Sequence, residues 1–197
     1  MKYEITNKKK RVNGLTLYRI KALVELGVVK AGDLGGWIEK ASNLSHEGDA
    51  WVANDAKVFG NARVSGNARV YGHALVYGDA RVYGDARVYG KALVFGKANV
   101  YGNAKVSGDA KVAGNAKVYG DSVVSGDAWV SGNAWVYENA KVDGKVKVYG
   151  NAEVFGNAKV YGDALVFGNA LVFVNAKVFG DSVVSGDAWV DGDAEVY

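Results

Sequence analysis

Residues 66–83 read GNARVY, GHALVY, GDARVY, three copies of one six-residue unit. From Gly48 to Tyr197 the chain is built of twenty-five such units, Gly-[Asn/Asp]-Ala-x-Val-[Tyr/Phe/Ser], without an insertion. Val fills the fifth position of all twenty-five. Ala fills the third in twenty-two, with Ser122, Val146 and Ser182 as the exceptions. Gly fills the first in twenty-two, replaced by Asn54, Glu138 and Val174. Ala and Val stand two apart, so on a short strand both point to one face and the residue between them points to the other. Gly followed by Asn or Asp tolerates positive φ, so the strand turns there. A turn every six residues leaves strands too short for a hairpin meander. The unit instead predicts a coil in which each strand stacks on its equivalent in the next turn, about 4.8 Å away.

The order Ala-x-Val-x-Gly-Asn resembles the hexapeptide repeat of left-handed parallel β-helices. The resemblance implies three hexads to a triangular coil of eighteen residues, a known exception to right-handed crossovers. The expected fold is therefore all-β, a single-stranded left-handed parallel β-helix. About eight coils would make a prism roughly 40 Å long at the strand spacing. Stacked Ala and Val would fill the interior, each buried Val contributing roughly 1.5–3 kcal/mol before entropy. No room is left inside for a ligand.

Residues 1–41 break the period and read as an N-terminal cap, with the β-helix over 42–197. Lys2 to Thr6 reads as a strand, Asn7 to Gly14 as a charged turn, and Leu15 to Leu23 as a second strand or short helix. An open solenoid end exposes strand edges and Val side chains, and Leu34 and Trp37 are the expected plug. The stretches KAGDLGGWI (30–38) and NLSHEGDAWV (43–52) resemble the YdcK-like β-helix proteins of bacteria, phages and prophages. That resemblance implies the fold and a phage or prophage origin, and supplies no activity. The repeat runs to Tyr197, which points to a last coil paired with another chain or to a truncated sequence.

Composition narrows the function. There is no Cys, hence no disulfide, thiolate metal site or cysteine nucleophile. The N-terminus is polar with no apolar signal core, and no apolar run is long enough to span a bilayer. A cytoplasmic protein without membrane contact is expected, in a host cell or a virion. The formal charge is +3, with nine Lys/Arg against four Asp/Glu in residues 1–40 and fifteen against seventeen in 41–197. A near-neutral repeat argues against nucleic acid as a partner.

With three hexads per coil, the outward fourth position reads as columns. One carries Arg69, Arg87, Lys105, Lys141, Lys159 and Lys177, a ladder that could bind a polyanion or stand as a solvated face. The next carries Leu75, Leu93, Trp129, Leu165 and Val183, an apolar face that predicts a homo-oligomer interface. Self-association through this face or through the last coil is expected, and a protein partner fits the same surfaces. At the sixth position Tyr83, Tyr101, Tyr119, Tyr137, Phe155 and Phe173 would stack, either to bind sugars or bases or simply to brace the solenoid.

β-helix acyltransferases use a His base, and this chain has His46 and His73. His46 lies beside Ser45, Glu47 and Asp49, which suits a base or a cap-to-coil hydrogen bond, and His73 replaces a turn Asn/Asp. Two His and no Cys make no tetrahedral metal set, and no phosphate-cradling glycine loop is present. No cofactor or metal is expected. The segment GDSVVSGDAWV occurs at 120–130 and again at 180–190, an offset of ten hexads that is not a multiple of three. Its copies therefore fall on different faces, which suits a scaffold better than a single pocket. The preferred reading is a non-enzymatic scaffold, with an acyltransferase or a polymerising virion component as the alternatives.

Overall fold

The left-handed backbone at the first position of each hexad sets the coil. In the computed structural model, which describes residues 1–197, every glycine of that position has φ between +59° and +96°. An added Cβ at Gly102 would lie 3.0 Å from the backbone nitrogen of Gly120 and 3.2 Å from its oxygen, one coil on. Glycine is thus needed twice, for the dihedral and for the approach of successive turns. The turn closes onto the third residue, as where the Ala68 amide donates to the Ser65 carbonyl at 3.3 Å. Two strand residues follow, an outward fourth position and an inward Val.

The result is a parallel β-solenoid with three sheets of eleven, nine and eight strands. The nine-stranded sheet gives about nine coils, close to the eight expected. No α-helix is present, and a single 3-10 turn spans Ala41–Asn43. Within each hexad the amides of the second, fourth and sixth residues donate to carbonyls of the following coil. Asn67 to Gly84 at 2.8 Å, Arg69 to Ala86 at 2.9 Å and Tyr71 to Val88 at 3.0 Å are one such set. Inward Ala and Val from Ala50 to Val178 are almost all fully buried, forming one core with no chamber. At the corners the turn amides form a second ladder. Asn115 donates to Asn133, which donates to Asn151, then Asn169, then Asp187, at 2.9–3.1 Å. An Asn supplies both a donor and an acceptor, so the chain of bonds runs on until an Asp ends it.

The cap differs from the sequence reading. The strand β1 (Tyr3–Val12) continues through the basic run 8–11 instead of turning there. Only Asn13 and Gly14 turn, both with positive φ (50° and 81°), into β2 (Leu15–Ala22). Asn-Gly is the favoured two-residue hairpin turn, so the signal stood in the sequence. A third strand, β3 (Leu34–Ile38), pairs antiparallel with β2 and parallel with Lys57–Val58 of the repeat. The solenoid sheet therefore begins inside the stretch 1–41. Trp37 pairs with Lys57 and Leu44 bridges Val64, steps of twenty residues. From Trp51 to Arg69 onward the step is eighteen. Two extra residues thus sit between Leu44 and Val52, and His46 stands among them.

The expected plug is also corrected. Leu34 is 45% exposed, and the Trp37 ring lies on the outer surface beneath Arg19 and Lys10. The apolar seal is made by Ile20, Leu26 and Ile38, which join the core of the solenoid. Gly35 and Gly36 let β3 lie against the first coil, since Cβ atoms there would come within 2.7 Å of Trp51 and Val52. Asn43, fully buried, completes the junction with four bonds: its Oδ1 accepts from the Glu39 and Lys40 amides, and its Nδ2 donates to the Gly60 and Ala62 carbonyls.

Three first-position residues are left-handed without being glycine. Asn54 and Glu138 have side chains that accept from the amide of the next coil's Gly72 (3.4 Å) and Gly156 (2.8 Å). Val174, φ 60°, has no such bond and is β-branched, the least tolerant type for this region. Val174→Gly is expected to stabilise the fold by about 1 kcal/mol, and Gly102→Ala to destabilise it by about 1–2 kcal/mol. Urea midpoints of the two variants against the parent chain check both signs.

Candidate functional site

Fourth-position residues stack in register on each face, so every expected column exists as a physical row. On the Trp51 face Arg69 pairs with Arg87, and Arg87 with Lys105. Val123 interrupts the row before Lys141, Lys159 and Lys177. The far end is neutralised, since Lys177 Nζ lies 2.7 Å from Glu195 and this bond raises the lysine and lowers the carboxyl. Arg69 and Arg87 make no ion pair with any carboxylate. The ladder is therefore a basic triplet of Arg69, Arg87 and Lys105 at the cap end and a separate lysine run beyond Val123.

On the Lys57 face Leu75 pairs with Leu93, and Leu165 with Val183. Trp129 stands between Lys111 and Lys147 and is 43% exposed. Lys111 Nζ lies 5.6 Å from the Trp129 ring centroid, a cation–π approach. The apolar residues are thus three islands set between lysines, with Val183 55% exposed and the three leucines half-buried.

The corner aromatics Tyr83, Tyr101, Tyr119, Tyr137, Phe155 and Phe173 stack at 4.8–5.0 Å with interplanar angles of 1–8°. Ring faces within the stack are spent on one another, so from Tyr101 to Phe155 only edges and hydroxyls remain for a ligand. A sugar or base needs a free face to stack on, and the bracing role is the one this geometry serves. Burial raises the Tyr137 hydroxyl above the ordinary phenol range, helped by its 2.9 Å bond to Glu153.

His46 stacks on Tyr3 with ring centroids 4.3 Å apart. Its Nδ1 accepts from the Lys2 amide at 3.3 Å. A neutral imidazole that accepts at Nδ1 carries its proton on Nε2, so the nitrogen left over is a donor. Burial, then the N-terminal ammonium and Lys2, hold the ring below its usual pKa. His46 thus bonds the cap to the start of the coil, with Nδ1 engaged by the Lys2 amide. His73 is a surface turn residue with Nδ1 4.0 Å from Asp55. No group of three or more His, Asp or Glu residues converges on a metal-sized site, and no helix is long and apolar enough to cross a membrane.

Two cap side chains meet the outward-facing carbonyls of the first coil. Lys2 Nζ donates to the Gly48 carbonyl at 3.0 Å, and the Tyr3 hydroxyl reaches the Leu44 carbonyl at 2.9 Å. Burial pushes the Tyr3 hydroxyl up to about 12, keeping it a donor. Burial likewise lowers the Lys2 amine to about 8, with Asp49 pulling the other way.

The family model of the YdcK Beta solenoid repeat matches the chain at residues 56–72, 68–82 and 80–96. The match falls on the repeats, downstream of the 30–52 stretch, and describes a solenoid repeat without an established function. No curated protein matches the chain.

The Lys2 pKa carries a testable sign. An unfolded lysine keeps its proton to about 10.4, whereas the folded one releases it near 8. Between these values the unfolded state binds more protons, so this group's contribution to stability rises with pH there and is flat below 8. The carbon-13 shift of Lys2 Cε is expected to titrate with a midpoint near 8.

Proposed function

We propose that the chain is a non-enzymatic solenoid scaffold that associates with a second copy of itself through the Lys57 face. The observation that carries this reading is the two-fold self-complementarity of that column. Its residues in order are Lys57, Leu75, Leu93, Lys111, Trp129, Lys147, Leu165 and Val183. Turning a second copy end over end sets Lys57 against Val183, Leu75 against Leu165, Leu93 against Lys147 and Lys111 against Trp129. No lysine then faces a lysine, Leu75 meets Leu165, each Trp129 meets a cation, and Leu93 and Val183 each lie against the apolar stem of a lysine. An isologous dimer requires one patch that matches itself when rotated, and this row does. A head-to-head alignment in the same sense would stack Lys on Lys at three of the eight positions.

Two further observations support a scaffold over an acyltransferase. His46 has its acceptor nitrogen occupied by the Lys2 amide. The interior is filled by Ala and Val, leaving only surface grooves. The phage or prophage setting implied by the 30–52 resemblance fits a length-tuned spacer made by copying hexads. Leu75→Lys, Leu93→Lys and Leu165→Lys together are expected to weaken the dimer by at least about a hundredfold, through lost apolar burial and like-charge contact. Sedimentation equilibrium reads the mass directly, with circular dichroism as the check on folding. A monomeric parent chain, or a triple variant of unchanged mass, overturns the reading.

A further inference from the structure

The cap brings an apolar tip over the arginine pair. Leu26 and Val29 bond to each other through both backbone pairs, at 2.9 and 3.3 Å, so Gly27 and Val28 form a two-residue turn. Val28 is 87% exposed at its tip. The tip rests on Arg69, whose guanidinium donates to the Leu26 carbonyl at 3.4 Å. Between tip and solenoid runs a groove of about 490 Å³, within the usual range of small-molecule sites. Val28 and Trp51 wall it, Ala53 and Tyr71 contribute apolar floor, and Arg69 and Arg87 supply its charge. None of its lining residues is a carboxylate.

Arg69 and Arg87 are paired on adjacent rungs, their backbones about one strand spacing apart, and both side chains line the groove. Like charges on neighbouring rungs repel, and no carboxylate lies within ion-pair distance of either arginine. An anion of charge near −2 with several acceptor oxygens would satisfy both forks at once, and a phosphate monoester has that charge and those oxygens. The apolar wall and floor then ask for a hydrophobic body attached to it. We propose that this groove binds a phosphate monoester carrying a ring-sized apolar group. The site is distinct from the Lys57 face, so its occupancy does not depend on self-association.

Phenyl phosphate, inorganic phosphate and phenol are the probes, titrated into the full chain by isothermal calorimetry. Phenyl phosphate is expected to bind at least about tenfold more tightly than either of its parts. Arg87→Met, which leaves the Leu26 contact alone, is expected to reduce phenyl phosphate affinity about tenfold or more. Val28→Ser should remove the advantage over inorganic phosphate while leaving inorganic phosphate binding as it was. Lys159→Met, on the same face but four rungs beyond Arg87, should change nothing. The proposal fails if phenyl phosphate gives no heat or binds no better than inorganic phosphate. It fails equally if Arg87→Met has no effect, or if Lys159→Met weakens binding as much as Arg87→Met.

Discussion

The approach of one glycine to the glycine of the next coil governs the rest of the molecule. With contacts near 3.0 Å from most virtual Cβ atoms to the following backbone, glycine is the residue that lets successive turns meet without strain. That spacing sets the rung hydrogen bonds, and the rungs in turn align every other position with its equivalent eighteen residues on. Interior Val stacks on Val, corner Tyr on Tyr and turn Asn on Asn, all as consequences of one steric constraint. The three exceptions test the rule. Asn54 and Glu138 hold their strained backbone with a side-chain bond to the next glycine amide, and Val174 holds it without one.

Strict registration explains why surface chemistry on this fold comes in rows. A favourable neighbour is repeated along a face, and so is an unfavourable one. Arg69 over Arg87 is an uncompensated like-charge pair, whereas Lys177 over Glu195 is a compensated one. Aromatic residues in the same regime consume each other's faces, as the Tyr83-to-Phe173 corner does. The duplicated segment obeys the same geometry. Trp129 lies in the eleven-stranded sheet and Trp189 in the eight-stranded one, because ten hexads do not make a whole number of turns.

Periodicity made the solenoid legible from sequence. Val in every fifth position and Gly in nearly every first leave one arrangement that buries the first and turns at the second. The cap had no period, and reading it by composition misplaced its turn and its seal. The basic run 8–11 reads as a turn by charge alone, but its backbone is strand, and the Asn13-Gly14 pair was the stronger signal. Leu34 and Trp37 read as a plug by hydrophobicity, yet Leu34 at the strand's start is 45% exposed, and alternation along β3 sends Ile38 inward and Trp37 outward. Asn43 and the extra two residues near His46 were invisible for a different reason. Both are defined by pairings with Gly60, Ala62 and Val64, far along the chain, which no local pattern encodes. The groove under Val28 is legible only once the cap loop and the arginines share a surface.

The rung bonds of the second, fourth and sixth residues all point the same way along the axis. A coil therefore shows surplus carbonyl oxygens to the side it came from and surplus amides to the side it is heading for. The cap follows this polarity, since what it brings to the first coil is an ammonium at Lys2 and a phenol at Tyr3, both donors. The solenoid is thus a vector rather than a rod, and its two ends cannot be closed by the same chemistry. Any segment that seals the downstream end, whatever its source, must arrive with acceptors such as carboxylates, amide oxygens or a strand edge offering its carbonyls.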